Sequence, residues 1–159
     1  MPSTIYPRFD IDSVAPGAER ALGALDHFVA GSGLDPTLLE LVRVRASQIN
    51  GCSYCIDMHT KDARARGETE QRLYALAAWR ETPFFTDEER AALAWTEQVT
   101  LVADGHVPDA VYEEIRERFT EADVATLTMA VIAINAWNRV AISQRSVPGD
   151  YVSNVHAGR

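Results

Sequence analysis

From Val124 to Ala136 the chain carries no charged residue and few polar ones. Val124, Leu127, Val131, Ile134 and Trp137 recur every three or four residues, which is the helical period, and Ile142 extends the run. A helix that is apolar on most sides must be buried on most sides. This segment is therefore either the central helix of a helical domain or part of an interface between chains. Taken alone, it favours neither reading.

The other segments also read as helices. Leu22, Leu25, Phe28 and Val29 share one face of a first helix that ends near Gly31-Ser32-Gly33. Asp35-Pro36 is an N-cap followed by proline at the first helical position. The second helix carries Leu38, Leu41, Val42 and Ile49 and stops at Asn50-Gly51. A third runs from about Cys52 to Gly67. Thr69 caps a fourth, with Leu73, Leu76 and Ala77 inward and Trp79 near its end. Pro83-Phe84-Phe85 is a break. Thr86 and Glu89 form a capping box for a fifth helix that reaches about Ala103. Pro108 opens a sixth, carrying Val111, Ile115 and Phe119. Thr120-Glu121-Ala122-Asp123 opens the seventh, and the tail from Gln144 reads as loop. Strand alternation is missing, and no repeat or linker divides the chain. The expectation is one all-α domain of about seven helices spanning residues 1–159.

The chain has 159 residues and a formal net charge of −8. An acidic surface argues against nucleic acid and anionic membrane as partners, because both need clustered Lys and Arg. No run of 18 apolar residues marks a membrane span, and Met1-Pro2-Ser3-Thr4-Ile5-Tyr6-Pro7-Arg8 does not read as a signal peptide. These features point to the cytoplasm. There the two cysteines, Cys52 and Cys55, are a poor structural staple and read as catalytic or metal-binding.

Cys52, Cys55 and His59 stand at i, i+3 and i+7, within roughly 60° of one another on a helix. Two thiols that close can form and break a disulfide, and an imidazole can take a proton from one of them. The break at Asn50-Gly51 places Cys52 in the first helical turn, where free N–H groups favour a thiolate. The i, i+4 pairing with His59 favours a thiolate on Cys55 instead. Position alone leaves the division of labour open. Glu40 lies on the preceding helix, and a bend at Asn50-Gly51 lets it reach and orient His59. Other readings stand beside this one. The cysteines could be inert core, or they could hold zinc with His59 and Glu40. Glu40 could be an ion-pair partner of Arg43 or Arg45. A c-type haem is excluded, since Ile56 follows Cys55. His27, His106 and His156 read as surface histidines, and Asp57, Lys61 and Asp62 as a solvated face. Asn135, Trp137, Asn138 and Arg139 read as packing residues that could also line a pocket or interface.

Glu40, Cys52-x-x-Cys55 and His59, together with Arg45-Ala46-Ser47-Gln48-Ile49-Asn50-Gly51 and Asp57-Met58-His59-Thr60-Lys61, resemble the signature of the alkylhydroperoxidase D-like branch of the carboxymuconolactone decarboxylase family. The match is strongest over residues 35–67 and extends to about residue 103. The resemblance implies an all-helical enzyme that reduces hydroperoxides through the cysteine pair, without metal or organic cofactor. It implies attack of peroxide at Cys55, resolution by Cys52, and a proton relay through His59 and Glu40. It further implies an external dithiol reductant and assembly as trimers or hexamers. Tyr54 stands where the mycobacterial type has a second histidine. Two alternatives remain: a lyase acting on a carboxylated lactone, and a non-enzymatic redox-responsive or zinc-holding module.

Overall fold

The computed structural model describes residues 5–155 and, among these, contains helices and no strand. Its elements are α1 (Ile11–Val14), α2 (Ala18–Ala30), α3 (Pro36–Asn50), α4 (Ser53–Ala65), α5 (Glu70–Ala75), a 3₁₀ helix (Leu76–Glu81), α6 (Asp87–Thr100), α7 (Asp109–Arg116) and α8 (Glu121–Gln144). The all-α expectation holds, with two differences in the elements. The short α1 was not expected, because one turn is too brief to show a period. The expected fourth helix is α5 continued as the 3₁₀ helix, with Ala78 off helical geometry.

The capping signals act as read. Asp35 accepts from the Thr37 N–H at 2.7 Å. The Thr86–Glu89 and Thr120–Asp123 capping boxes are both closed. Pro108 is the N-cap of α7 rather than its first residue. Cys52 is likewise the N-cap of α4, one position ahead of the first turn.

Helix α3 packs against α4, α6 and α8, and α8 also packs against α2 and α6. One core cluster joins Val29, Leu38, Val42, Trp95, Ile115, Leu127 and Val131. A second gathers Leu41, Val44, Leu76, Trp79 and Leu93 on the other side of α3. By length and composition α8 could cross a membrane. Its packing against α2, α3, α4, α6 and α7 is that of a core helix. Val131 is fully buried, whereas Ile132 is 45% exposed.

The turn between α3 and α4 sets the site. Gly51 closes α3 in the left-handed region at φ 69°, and Cys52 N–H returns to the Ser47 carbonyl at 3.0 Å. Any L side chain at this position is strained, whatever the space around it. We expect Gly51→Ala to lower stability by about 1–2 kcal/mol. Urea unfolding would show this as a lower midpoint at unchanged slope; an unchanged midpoint would refute the turn's role.

Candidate active site

The α3–α4 turn folds α4 back along α3 and brings Glu40 beside His59. His59 Nδ1 lies 2.9 Å from Glu40 Oε2, so Nε2 is the nitrogen left for other partners. Arg43 Nη1 donates to Glu40 Oε1 at 2.9 Å, and Arg66 Nε lies 3.6 Å from the same oxygen. Glu40 is 2% exposed. Burial pushes its carboxyl up; the His59 hydrogen bond and the charges of His59, Arg43 and Arg66 outweigh that and hold it below its ordinary value. Between the folded and ordinary values the unfolded chain binds more protons. The ion cluster therefore stabilises the fold above that interval and loses its contribution as pH falls through the folded value.

Cys52 and Cys55 are joined through their sulfurs, with Cα atoms 5.4 Å apart. Both are buried. Cys55 N–H points at Cys52 Sγ at 3.3 Å, so the helix cap is made by sulfur. The same N–H is placed to stabilise a Cys52 thiolate after reduction. Ala46, Ile134 and Ala141 enclose the pair, with Tyr54 and Trp137 against them. The apolar helix α8 thus forms one wall of the site.

A cavity of about 470 Å³ opens onto Cys55 but not Cys52. Glu40, His59, Met58, Tyr54, Ile134 and Trp137 line it, together with Arg43, Arg66, Glu19, Asp26 and Asp62. Cys52 borders a separate hollow with Gly51, Ile142 and Arg145. Four carboxylates against two guanidiniums leave the larger cavity acidic. The guanidiniums are already committed to Glu40.

All four sequence candidates, Glu40, Cys52, Cys55 and His59, lie in one region. Arg43 is the ion-pair partner of Glu40, so that reading holds alongside the His59 contact, while Arg45 turns to Glu97 at 2.9 Å. Asp57 and Lys61 pair on a half-exposed face. Asp62 does not belong to a solvated face: it is 8% exposed and faces the cavity. The correction has a physical cause, since the tail after α8 returns over α4 and covers it. Trp137 lines the cavity and donates to Asp26. Asn138 is fully buried and donates to Ser47 Oγ at 2.9 Å, while Asn50 Nδ2 donates to Asn135 and Asn138. These amides tie the end of α3 to α8. Asn135 and Arg139 border a different groove. His27 and His106 are exposed, and His156 lies outside the described residues.

Glu40, His59 and Asp62 place one ligand atom each within 4.8 Å of the others. Two guanidiniums on Glu40 compete with any cation there, and sulfurs joined to each other are not thiolate ligands. With Cys52 and Cys55 joined, the zinc set of Cys52, Cys55, His59 and Glu40 has no thiolate donor in this state. Sequence reasoning did not single out Arg66, Asp62, Tyr151 or Ser153 as site residues. Their contacts run across the fold and leave no local pattern.

The carboxymuconolactone decarboxylase family model matches residues 16–98. The uncharacterized protein YdfG of Bacillus subtilis is 42% identical over 130 residues, 82% of this chain and 88% of its own. The crystal structure of a protein of unknown function from Agrobacterium tumefaciens, provisionally named an antioxidant defence protein AhpD, superposes with TM-score 0.88 at 38% identity, covering 92% of this chain and all of that one. The AhpD core of an uncharacterized peroxidase-related protein from Ralstonia eutropha shares the fold at TM-score 0.77 and 23% identity, over 87% of this chain and 74% of that one. With this sequence match and this fold, the chain is an AhpD-like member of the carboxymuconolactone decarboxylase family.

Proposed function

We propose that this protein is a thiol-dependent peroxidase that reduces hydroperoxides through Cys55 and Cys52, with His59 and Glu40 as its proton relay. The supporting observation is the joined cysteine pair beside the Glu40–His59 contact, with Cys55 and His59 on one cavity. In the reduced protein, Cys55 gives its proton to His59 and attacks the distal peroxide oxygen. The S–O bond forms as the O–O bond breaks, and the departing alkoxide takes the proton as alcohol. Cys52 then attacks the Cys55 sulfenic acid, the disulfide forms and water leaves. An external dithiol returns two electrons and two protons by thiol–disulfide exchange and leaves as its own disulfide. The cysteine pair carries the electrons, so this cycle calls on no metal or organic cofactor, and a reducing cytoplasm suits it.

The test is consumption of tert-butyl hydroperoxide with dithiothreitol as reductant. Turnover that depends on both reagents supports the reading, and none at any pH overturns it. His59→Ala and Glu40→Gln are each expected to slow peroxide reduction at neutral pH on the order of a hundredfold. Both should recover toward high pH, where the thiolate forms unaided. Unchanged neutral-pH rates in both variants would remove the relay. The lyase alternative is disfavoured by the acidic cavity, which would repel a carboxylated lactone.

The same reading includes a homo-oligomer, as trimer or hexamer. Ile132 is exposed and shares a groove with Val99 and Ala136, outside the cavity lining. Ile132→Glu is expected to lower the mass seen by light scattering while helical circular dichroism stays intact. A mass of 17.6 kDa for the unmutated protein would refute assembly.

A further inference from the structure

After α8 the chain turns back and lies across α4 as a strap. Lys61 Nζ donates to the carbonyls of Gly149 and Tyr151, each at 2.9 Å. Gly149 N–H donates to Asp57 Oδ2 at 3.1 Å. The strap reaches Asp62: the Tyr151 hydroxyl lies 3.0 and 3.1 Å from its two oxygens, and Ser153 Oγ donates at 2.6 Å. The Tyr151 hydroxyl is pushed up to about 12, by burial first and then by Asp62, so it stays a donor. Buried carboxylates are normally paired with cations. Glu40 is so paired, whereas Asp62 is held by two neutral hydroxyls that satisfy its oxygens. The Asp62 carboxyl stands within 4.8 Å of both His59 and Glu40.

We infer that Tyr151 and Ser153 are positioning residues, which fix Asp62 as a second carboxylate beside His59 and so stabilise the imidazolium that forms when Cys55 gives up its proton. The inference rests on the peroxidase reading, but it concerns the proton transfer that precedes any peroxide. The step is one proton from Cys55 Sγ to His59, with no change in oxidation state. An opposite charge at this range favours a charged group, and Asp62 supplies it. Glu40 from α3 and Asp62 from α4 face His59, and Arg43 from α3 and Arg66 at the α4 C-cap stand on Glu40. Tyr54 lines the same cavity, Glu19 and Asp26 do so from α2, and α8 contributes apolar side chains with Gln144. Of these, Asp62 is the carboxylate whose orientation depends on the tail.

The experiment is alkylation of Cys55 by iodoacetamide in the reduced Cys52→Ser background, followed from mildly acidic to strongly basic pH. Asp62→Asn and Tyr151→Phe should each slow alkylation about tenfold at neutral pH, the equivalent of one pKa unit. Both should converge on the parent rate at high pH. The double variant should be no slower than Asp62→Asn, because Tyr151 acts through Asp62. Unchanged neutral-pH rates, a deficit equal at every pH, or defects that multiply would each overturn the inference. Should Tyr151→Phe fail to fold, Ser153→Ala takes its place, with the same slowing expected at neutral pH and again no added defect on top of Asp62→Asn. Normal alkylation effects in a protein inert to tert-butyl hydroperoxide would overturn the peroxidase reading and leave the strap's role standing.

Discussion

Val131→Glu is expected to leave no folded chain at room temperature. Val131 is fully buried within the cluster that joins α2, α3, α6, α7 and α8. A carboxylate there has no cation and no donor among its apolar neighbours. Burying an unpaired charge costs several kcal/mol, on the order of the whole stability of a small domain. Far-ultraviolet circular dichroism should show loss of helix, and thermal scans should show no cooperative transition. A cooperative melt near that of the unmutated protein would contradict the packing described for α8. The contrast with Ile132→Glu is informative, because adjacent positions on one helix should then fail in different ways.

The second large effect concerns the cysteines. Cys55→Ser is expected to abolish peroxide consumption, since its sulfur faces the cavity that holds His59. Cys52→Ser should still react once and stop, leaving a sulfenic acid on Cys55 that dimedone traps. Mass spectrometry after a short peroxide pulse locates the adduct. An adduct on Cys52 in the Cys55→Ser protein would reverse the roles, with the α4 N-terminus outweighing the His59 pairing.

How much of this was legible in the sequence depended on the range of each interaction. Helix ends at Asp35, Thr86 and Thr120 were readable because a cap is a local hydrogen bond. The Cys52–Cys55–His59 face was readable because helical spacing alone defines it. Glu40 was reachable only through the turn at Gly51, whose angle the sequence permits without specifying. The resemblance to a known family supplied that missing geometry. In α8 the sequence could not separate Val131 from Ile132, because a helix apolar all round carries little directional signal. Asp62 was misread for a related reason. Its charge suits a solvated face, and the Tyr151 and Ser153 hydroxyls that bury it come from 89 and 91 residues later.

Peroxide oxidises Cys55 and Cys52 then closes the disulfide, so the count of thiols lost per peroxide is the sharpest consequence of the proposed cycle. Fully reduced, reductant-free protein should be titrated anaerobically with substoichiometric tert-butyl hydroperoxide, and free thiols counted after each addition. The account predicts that each peroxide removes both thiols of one chain, and that dithiothreitol restores them. Thiols that persist through a full equivalent of peroxide, or that disappear without forming the Cys52–Cys55 bond, would contradict it.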